Sequence, residues 1–185
     1  AAISTLLGFY SKLSYDPVKD LAPVVSVGEA PLVMAIHPAL EPRTVRDVIE
    51  YARAKPKLLT ISSSGTGSST HLAIELFKSL AKIETTHVPY KGSAPALQDV
   101  IGGTCQITFD GAAKPFIDAG KVRFLGPTSA QRDPRYPATP TLQEAGLPGY
   151  DLTYWIALFA PPGLPAAMQA RLNTAANTAL ADEKL

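Results

Sequence analysis

Residues 62–70 read Ser-Ser-Ser-Gly-Thr-Gly-Ser-Ser-Thr, two glycines set among hydroxyl side chains. Glycine lets backbone N–H groups approach a ligand closely, and a helix starting there adds unpaired donors and a partial positive charge. The hydroxyls of Ser63, Ser64, Thr66 and Ser68, beside Gly67, complete a donor set suited to an oxygen-rich anion. The same residues also suit a plain N-cap followed by a turn. Tyr90-Lys91-Gly92-Ser93 repeats the theme, with Lys91 either steering an anion or simply solvated. Asp110, ahead of Gly111, either orients its own loop through backbone N–H groups or takes a ligand's hydroxyl or ammonium.

Other chemistries fit less well. A phosphate-binding P-loop needs a lysine after its second glycine, and Ser68 follows Gly67; a dinucleotide fingerprint needs a third glycine where Thr70 stands. No serine has the flanking glycines of a nucleophile elbow. A small serine hydrolase or transferase built on Ser68 and His71, with Asp110 and His87 in reserve, is the alternative from another class. A structural fragment with no binding of its own is a further one. His37, His71 and His87 lack metal-ligand spacing, so neither a metal nor a cofactor is expected.

The elements that must position these residues alternate. Leu32–Ile36 is an apolar run suited to a strand buried on both faces. Thr44 caps a helix with the stripe Val45, Val48, Ile49 and Ala52, stopped by Pro56. Leu58–Ile61 is the next strand, followed by a helix with Leu72, Ala73, Leu76, Phe77 and Leu80 on one face. Thr85–Tyr90 is a strand, Ser93 caps a helix carrying Leu97, Val100 and Ile101, and Gly102-Gly103 ends it. Thr104–Phe109 alternates strictly, with Cys105, Ile107 and Phe109 inward. A short helix at Pro115–Ala119 and a strand at Val122–Leu125 complete a series that predicts a mostly parallel sheet, with three polar strand ends converging on one edge. Beyond Leu125 prolines multiply, leaving a strand at Thr153–Phe159, with Trp155 read as core or as a lid contact, and a helix at Ala166–Ala181. The first thirty residues read as loops around Pro17 and Pro23.

Composition sets the outer bounds. The 185 residues hold 17 Lys+Arg against 16 Asp+Glu, a formal charge of +1 with no basic run, which argues against a nucleic-acid partner. Cys105 is the only cysteine, so no disulfide forms within the chain, and its apolar setting predicts a buried thiol. No apolar run reaches the ~18–20 residues of a membrane span, and the first eight residues lack the basic start of a signal peptide.

Taken together, the chain resembles the extracytoplasmic solute receptors of tripartite tricarboxylate transporters, the Bug family. The resemblance rests on Tyr15-Asp16-Pro17, Ser63–Ser68 followed by His71-Leu72, His87–Leu97, Gly102-Gly103 and Phe109-Asp110, and continues through Gly120–Arg123, Pro140-Thr141, Glu144–Tyr150, Trp155 and Ala160–Gly163. It implies an α/β, type II periplasmic-binding-protein-like fold that closes on a small carboxylate and delivers it to a membrane permease, without catalysis. It places Ser63, Ser64, Thr66, Gly67, Ser68, Tyr90, Gly92, Ser93 and Asp110 at the cleft. It further implies a fragment: one complete lobe over residues 26–125 and part of the other in residues 1–25 and 126–185. The expected location is periplasmic, with any signal outside this chain. Apolar surface on the partial lobe is expected to need a partner, such as a homodimer formed by strand exchange.

Overall fold

The computed structural model describes residue 8 and residues 12–182. It divides into two compact units: Pro31–Thr153, and a second joining the segment that ends at Ala30 to the segment starting at Tyr154.

The first unit is a five-stranded sheet with helices over both faces. Its strands are β2 (Val33–Ile36), β3 (Thr60–Ser63), β4 (Thr86–Pro89), β5 (Ile107–Phe109) and β6 (Arg123–Pro127), in the spatial order β4-β3-β5-β2-β6. β3 runs parallel to both β4 and β5, with Ser62 opposite Val88 and Thr108. β2 runs antiparallel to both neighbours, Met34 facing Phe109 on one side and Gly126 on the other. Four strands therefore share one direction, and the exception is the apolar run expected to fit a parallel sheet. An uninterrupted apolar run reports cover on both faces, which β2 has, and carries no information on direction.

The helices are α1 (Val45–Ala54), α2 (Ser69–Ala81), α3 (Ser93–Ile101) and α4 (Lys114–Asp118), the last preceded by a single 3₁₀ turn at Gly111–Ala113. Thr44 caps α1 as expected, and Asp47 returns the bond in a full capping box; Val45, Val48, Ile49 and Ala52 are its buried stripe. The stripe of α2 is rotated from the expected one. Ala73 and Phe77 are buried, but with Thr70, Ile74 and Ala81, while Leu80 is exposed. Both stripes have helical spacing, and the buried one is that which carries Thr70 into the preceding loop. Ser93 does not cap α3: Gly92 holds that position with no side-chain bond, and Ser93 is the first helical residue.

Val33 and Ala35 pack with Leu97, Val100, Cys105, Ala113 and Val122, so Cys105 is the buried thiol expected. On α2's side of the sheet, Phe77, Phe109 and Tyr150 form an aromatic row with centroids 5.4 and 6.4 Å apart. Each such fully buried side chain contributes about 1.5–3 kcal/mol. The strict alternation read for 104–109 gives way to a shorter β5 in which Ile107, Thr108 and Phe109 are all buried. β3 begins two residues later than expected, leaving Leu58 exposed and drawing Ser62 and Ser63 out of the loop into the strand.

The expected boundary at Leu125 falls instead at Thr153. Residues 128–152 hold no regular helix or strand, yet Leu142, Leu147 and Tyr150 are buried and the Tyr150 hydroxyl donates to Ala73 O at 2.8 Å. Proline interrupts regular backbone without removing the apolar anchors that decide where a segment packs.

The second unit pairs β1 (Ala22–Pro31) with β7 (Thr153–Ala160), beside α5 (Ala166–Leu180). β1 overturns the reading of the N-terminal region as loop: valines at 24, 25 and 27 outweigh Pro23. Gln169 Nε2 and Asn173 Nδ2 donate to Pro23 O and Val24 O at 2.9 and 2.7 Å. Trp155, Ile156 and Leu158 on β7 and Met168 and Leu172 on α5 are exposed, so Trp155 is no core residue; its ring stands beside Phe159.

Gly126 passes close to the irregular segment: a Cβ there would lie 2.5 Å from Pro140 O, a backbone atom. Gly126→Ala should therefore lower stability by about 1–3 kcal/mol or more, read as a lower urea midpoint with unchanged slope.

Candidate functional site

Because β3, β4, β5 and β6 share a direction, their carboxyl ends lie on one edge of the sheet. The loops leaving β3 and β4 are tied together there. Tyr90 N donates to Ser63 O at 2.9 Å and Gly92 N to Ser64 O at 3.1 Å. A Cβ on Gly65 would stand 3.3 Å from Tyr90 O, so the close approach suits glycine. Asp110 follows β5 on the same edge. Its N–H donates to Val33 O, its Oδ1 accepts from Ala112 N at 3.0 Å, and its buried Oδ2 has no partner among the described residues.

The Ser/Gly loop is held by a directed chain of hydroxyls. Ser68 Oγ donates to Gly65 O at 2.6 Å and accepts from His71 N at 3.2 Å, capping α2. Since each hydroxyl has one hydrogen, Thr70 Oγ1 must donate to Ser68 Oγ at 2.8 Å. Thr70 Oγ1 then accepts from Ser64 N at 2.9 Å and Ser64 Oγ at 3.0 Å. Thr70, only 3% exposed, is the hub of the loop.

Two histidines brace it from behind. The rings of His71 and His87 stack, with centroids 4.2 Å apart and planes 11° from parallel. His71 Nδ1 accepts from Gly67 N at 3.1 Å, and His87 Nε2 lies 2.6 Å from Ser63 Oγ. Burial, and secondarily the neighbouring His71, pushes the His87 pKa from 6.5 down to about 4. Burial also lowers His71, against the pull of Glu75. His71 is therefore uncharged at neutral pH, and its 3.7 Å approach to Glu75 is not an ion pair there.

The expected site residues take different positions. Ser63 is fully buried at the end of β3, its hydroxyl turned to His87. Ser64, Ser68, Gly92 and Ser93 are half-buried, Gly67 is buried, and Thr66 is exposed. The Tyr90 side chain leaves the edge: its hydroxyl donates to Asp99 and lies 3.4 Å from Cys105 Sγ, and burial raises its pKa. Tyr90 thus joins the edge by backbone alone, and Lys91 beside it is exposed. Ser68 and His71 meet only through the His71 backbone N–H, while His71 Nδ1 is engaged by Gly67; this is not the nucleophile–base contact a hydrolase needs. Ser63 and His87 are within bonding distance, but Ser63 has no exposure. No group of three or more His, Cys, Asp or Glu side chains that could hold a metal occurs among the described residues. Reading the sequence missed Thr70 and the His71–His87 stack. The first is signalled only by a hydroxyl two residues inside a helix, and the second by nothing local.

Residues 2–184 match the model of the tripartite tricarboxylate transporter family receptor. The chain belongs to that receptor family. A UPF0065 protein of Pseudomonas sp. (strain P51), from the tcbD-tcbE intergenic region, is 38% identical over 176 residues, 94% of this chain and 52% of that protein. The chain thus spans about half the length of the curated relatives it matches. Among solved structures, Rpa4515 of R. palustris with adipate superposes with a TM-score of 0.91 at 39% identity, covering 95% of this chain and 60% of that one. MatC of Rhodopseudomonas palustris with bound malate gives 0.89 at 32% identity, covering 97% and 62%. The fold is the periplasmic-binding-protein type that the resemblance implied. Receptors of the family are periplasmic; in this chain, no described helix is long and apolar enough to cross a membrane.

Two outcomes follow from the bracing. Thr70→Val, of similar shape but without the hydroxyl, should cost about 1–3 kcal/mol in urea unfolding, and Thr70→Ser should recover most of it. The depressed His87 pKa means the unfolded chain takes up a proton that the folded chain refuses. Stability should therefore fall as pH drops from about 6.5 to about 4 and lose nothing further to this group below that. Urea midpoints at pH 7, 5.5 and 4.5 should show the slope, which His87→Phe should flatten.

Proposed function

We propose that this chain forms one wall of the ligand cleft of a periplasmic solute receptor that binds a small dicarboxylate and passes it to a membrane permease, without catalysis. The observation that carries this reading is the edge where the loops after β3 and β4 are zipped together ahead of the N-termini of α2 and α3. α3 starts on Gly92, which has no side chain to cap it, and its first turn offers a carboxylate N–H groups and the positive end of a helix dipole. Ser93 adds a hydroxyl at that position and Thr66 stands on the exposed turn of the loop, while Ser63, Ser64, Gly67, Ser68 and the Tyr90 side chain act as supports. The unpaired oxygen of Asp110 suits a hydrogen-bond donor, such as a ligand hydroxyl or an ordered water, and would repel a carboxylate placed on it. Relatives holding adipate and malate, both dicarboxylates, support the ligand class.

Calorimetric titration of malate and adipate into the full chain tests this reading, with saturable binding of at least one acid expected. Gly92 sits at φ +117°, a conformation that side chains resist, and a Cβ there would meet nothing within 4 Å. Gly92→Ala should therefore tilt the α3 N-terminus and weaken binding at least tenfold, while melting within a few degrees of the parent. Absence of binding by either acid, or unchanged affinity in Gly92→Ala, would overturn the assignment.

A further inference from the structure

We propose that His71 and His87 are paired positioning residues for the Ser63–Ser68 loop, each holding it through an unprotonated ring nitrogen. The proton assignment follows from the contacts. Gly67 N is a donor, so the His71 Nδ1 it reaches at 3.1 Å must be bare, which puts the ring proton on Nε2, facing Glu75 Oε1 at 3.7 Å. Ser63 Oγ accepts from Gly65 N at 3.2 Å, and its one hydrogen has two possible acceptors: His87 Nε2 at 2.6 Å and Gly65 O at 3.4 Å. The short contact takes it. His87 therefore carries its proton on Nδ1 and accepts through Nε2.

The stack makes the two roles interdependent. Neutral rings tolerate a 4.2 Å parallel approach, whereas two imidazolium cations there would repel each other with little water between them. A proton on His71 Nδ1 would also set donor against donor at Gly67, removing one of the bonds that seat the loop at the start of α2. Among the described residues, the charged groups facing the pair are Glu75 and Lys78 on α2, and they oppose one another: Glu75 favours the protonated rings and Lys78 disfavours them. Lys78 Nζ lies 2.7 Å from Glu75 Oε1, so part of the carboxylate's charge is already answered. The loop is thus seated by an arrangement that holds at neutral pH and is withdrawn by acid. The pair's link to binding rests on the receptor reading above, but its geometry does not, so the decisive measurement uses no ligand.

Nitrogen-15 NMR of the histidine rings in the full chain at pH 7 should show the Nε2–H tautomer for His71 and the Nδ1–H tautomer for His87. Exchange of the Gly67 amide hydrogen should be slow at pH 7. It should quicken at least tenfold in His71→Phe, which keeps a stacking ring but has no acceptor. His71→Asn, whose side-chain oxygen can stand where Nδ1 stood, should stay within threefold of the parent. A proton on His71 Nδ1 at pH 7, or equal Gly67 exchange in the Phe and Asn variants, would sink the proposal. If His71→Phe does not fold, the tautomers of the unaltered chain decide alone. Failure of malate and adipate to bind, with these tautomers observed, would count against the receptor reading and leave the positioning role standing.

Discussion

The structure around the candidate site depends on one constraint: the central strands β2, β3 and β5 are covered on both faces. Val33, Met34, Ala35, Ile36, Ile61, Ile107 and Phe109 are fully buried, so these three strands have no solvated face on which to display polar groups. The polar side chains inside them are paired with backbone carbonyls, Ser62 Oγ lying 3.3 Å from Ala96 O on α3 and 3.4 Å from Ile107 O on β5, and Thr108 Oγ1 3.4 Å from Ser62 O. Polar chemistry is left to the strand ends, and the shared direction of four strands gathers those ends on one edge.

At that edge the loop resolves a competition between two uses of the same residues. Hydroxyls that could serve a ligand are also the natural partners of the loop's own N–H and C=O groups. Ser68, Thr70 and Ser63 are engaged internally, donating to Gly65 O, Ser68 Oγ and His87 Nε2. What the loop gains is a fixed backbone, since a fixed backbone positions N–H groups at no further entropic cost when a ligand arrives. The donor set read from the sequence thus changes character: fewer free hydroxyls, and more recognition by main-chain groups held in place by hydroxyls.

Much of this was legible in the sequence, and the misses share a cause. The α1 stripe, β2, the last strand and helix, the Cys105 burial and the three polar strand ends follow from local patterns. The rotated stripe of α2, the absent Ser93 cap and the boundary at Thr153 do not, because each depends on what packs against the element. Thr70 turns inward because Ser64 and Ser68 need its hydroxyl, and Tyr150 brings the proline-rich segment into the first unit because its ring has Phe109 to lie against.

By itself the sequence determined which segments are apolar on both faces, which stretches are helical, and that serine, glycine and aspartate would stand at strand ends. Those are matters of residue type and short spacing. Only the tertiary structure decided that β2 runs against its neighbours, that the Tyr90 hydroxyl turns inward to Asp99, and that His71 and His87 stack behind the loop. The two histidines stand on different elements, and parallel pairing of β3 with β4 is what sets His87 level with Ile61, two residues before Ser63. Such a meeting is a product of sheet register, which no local pattern in either segment encodes.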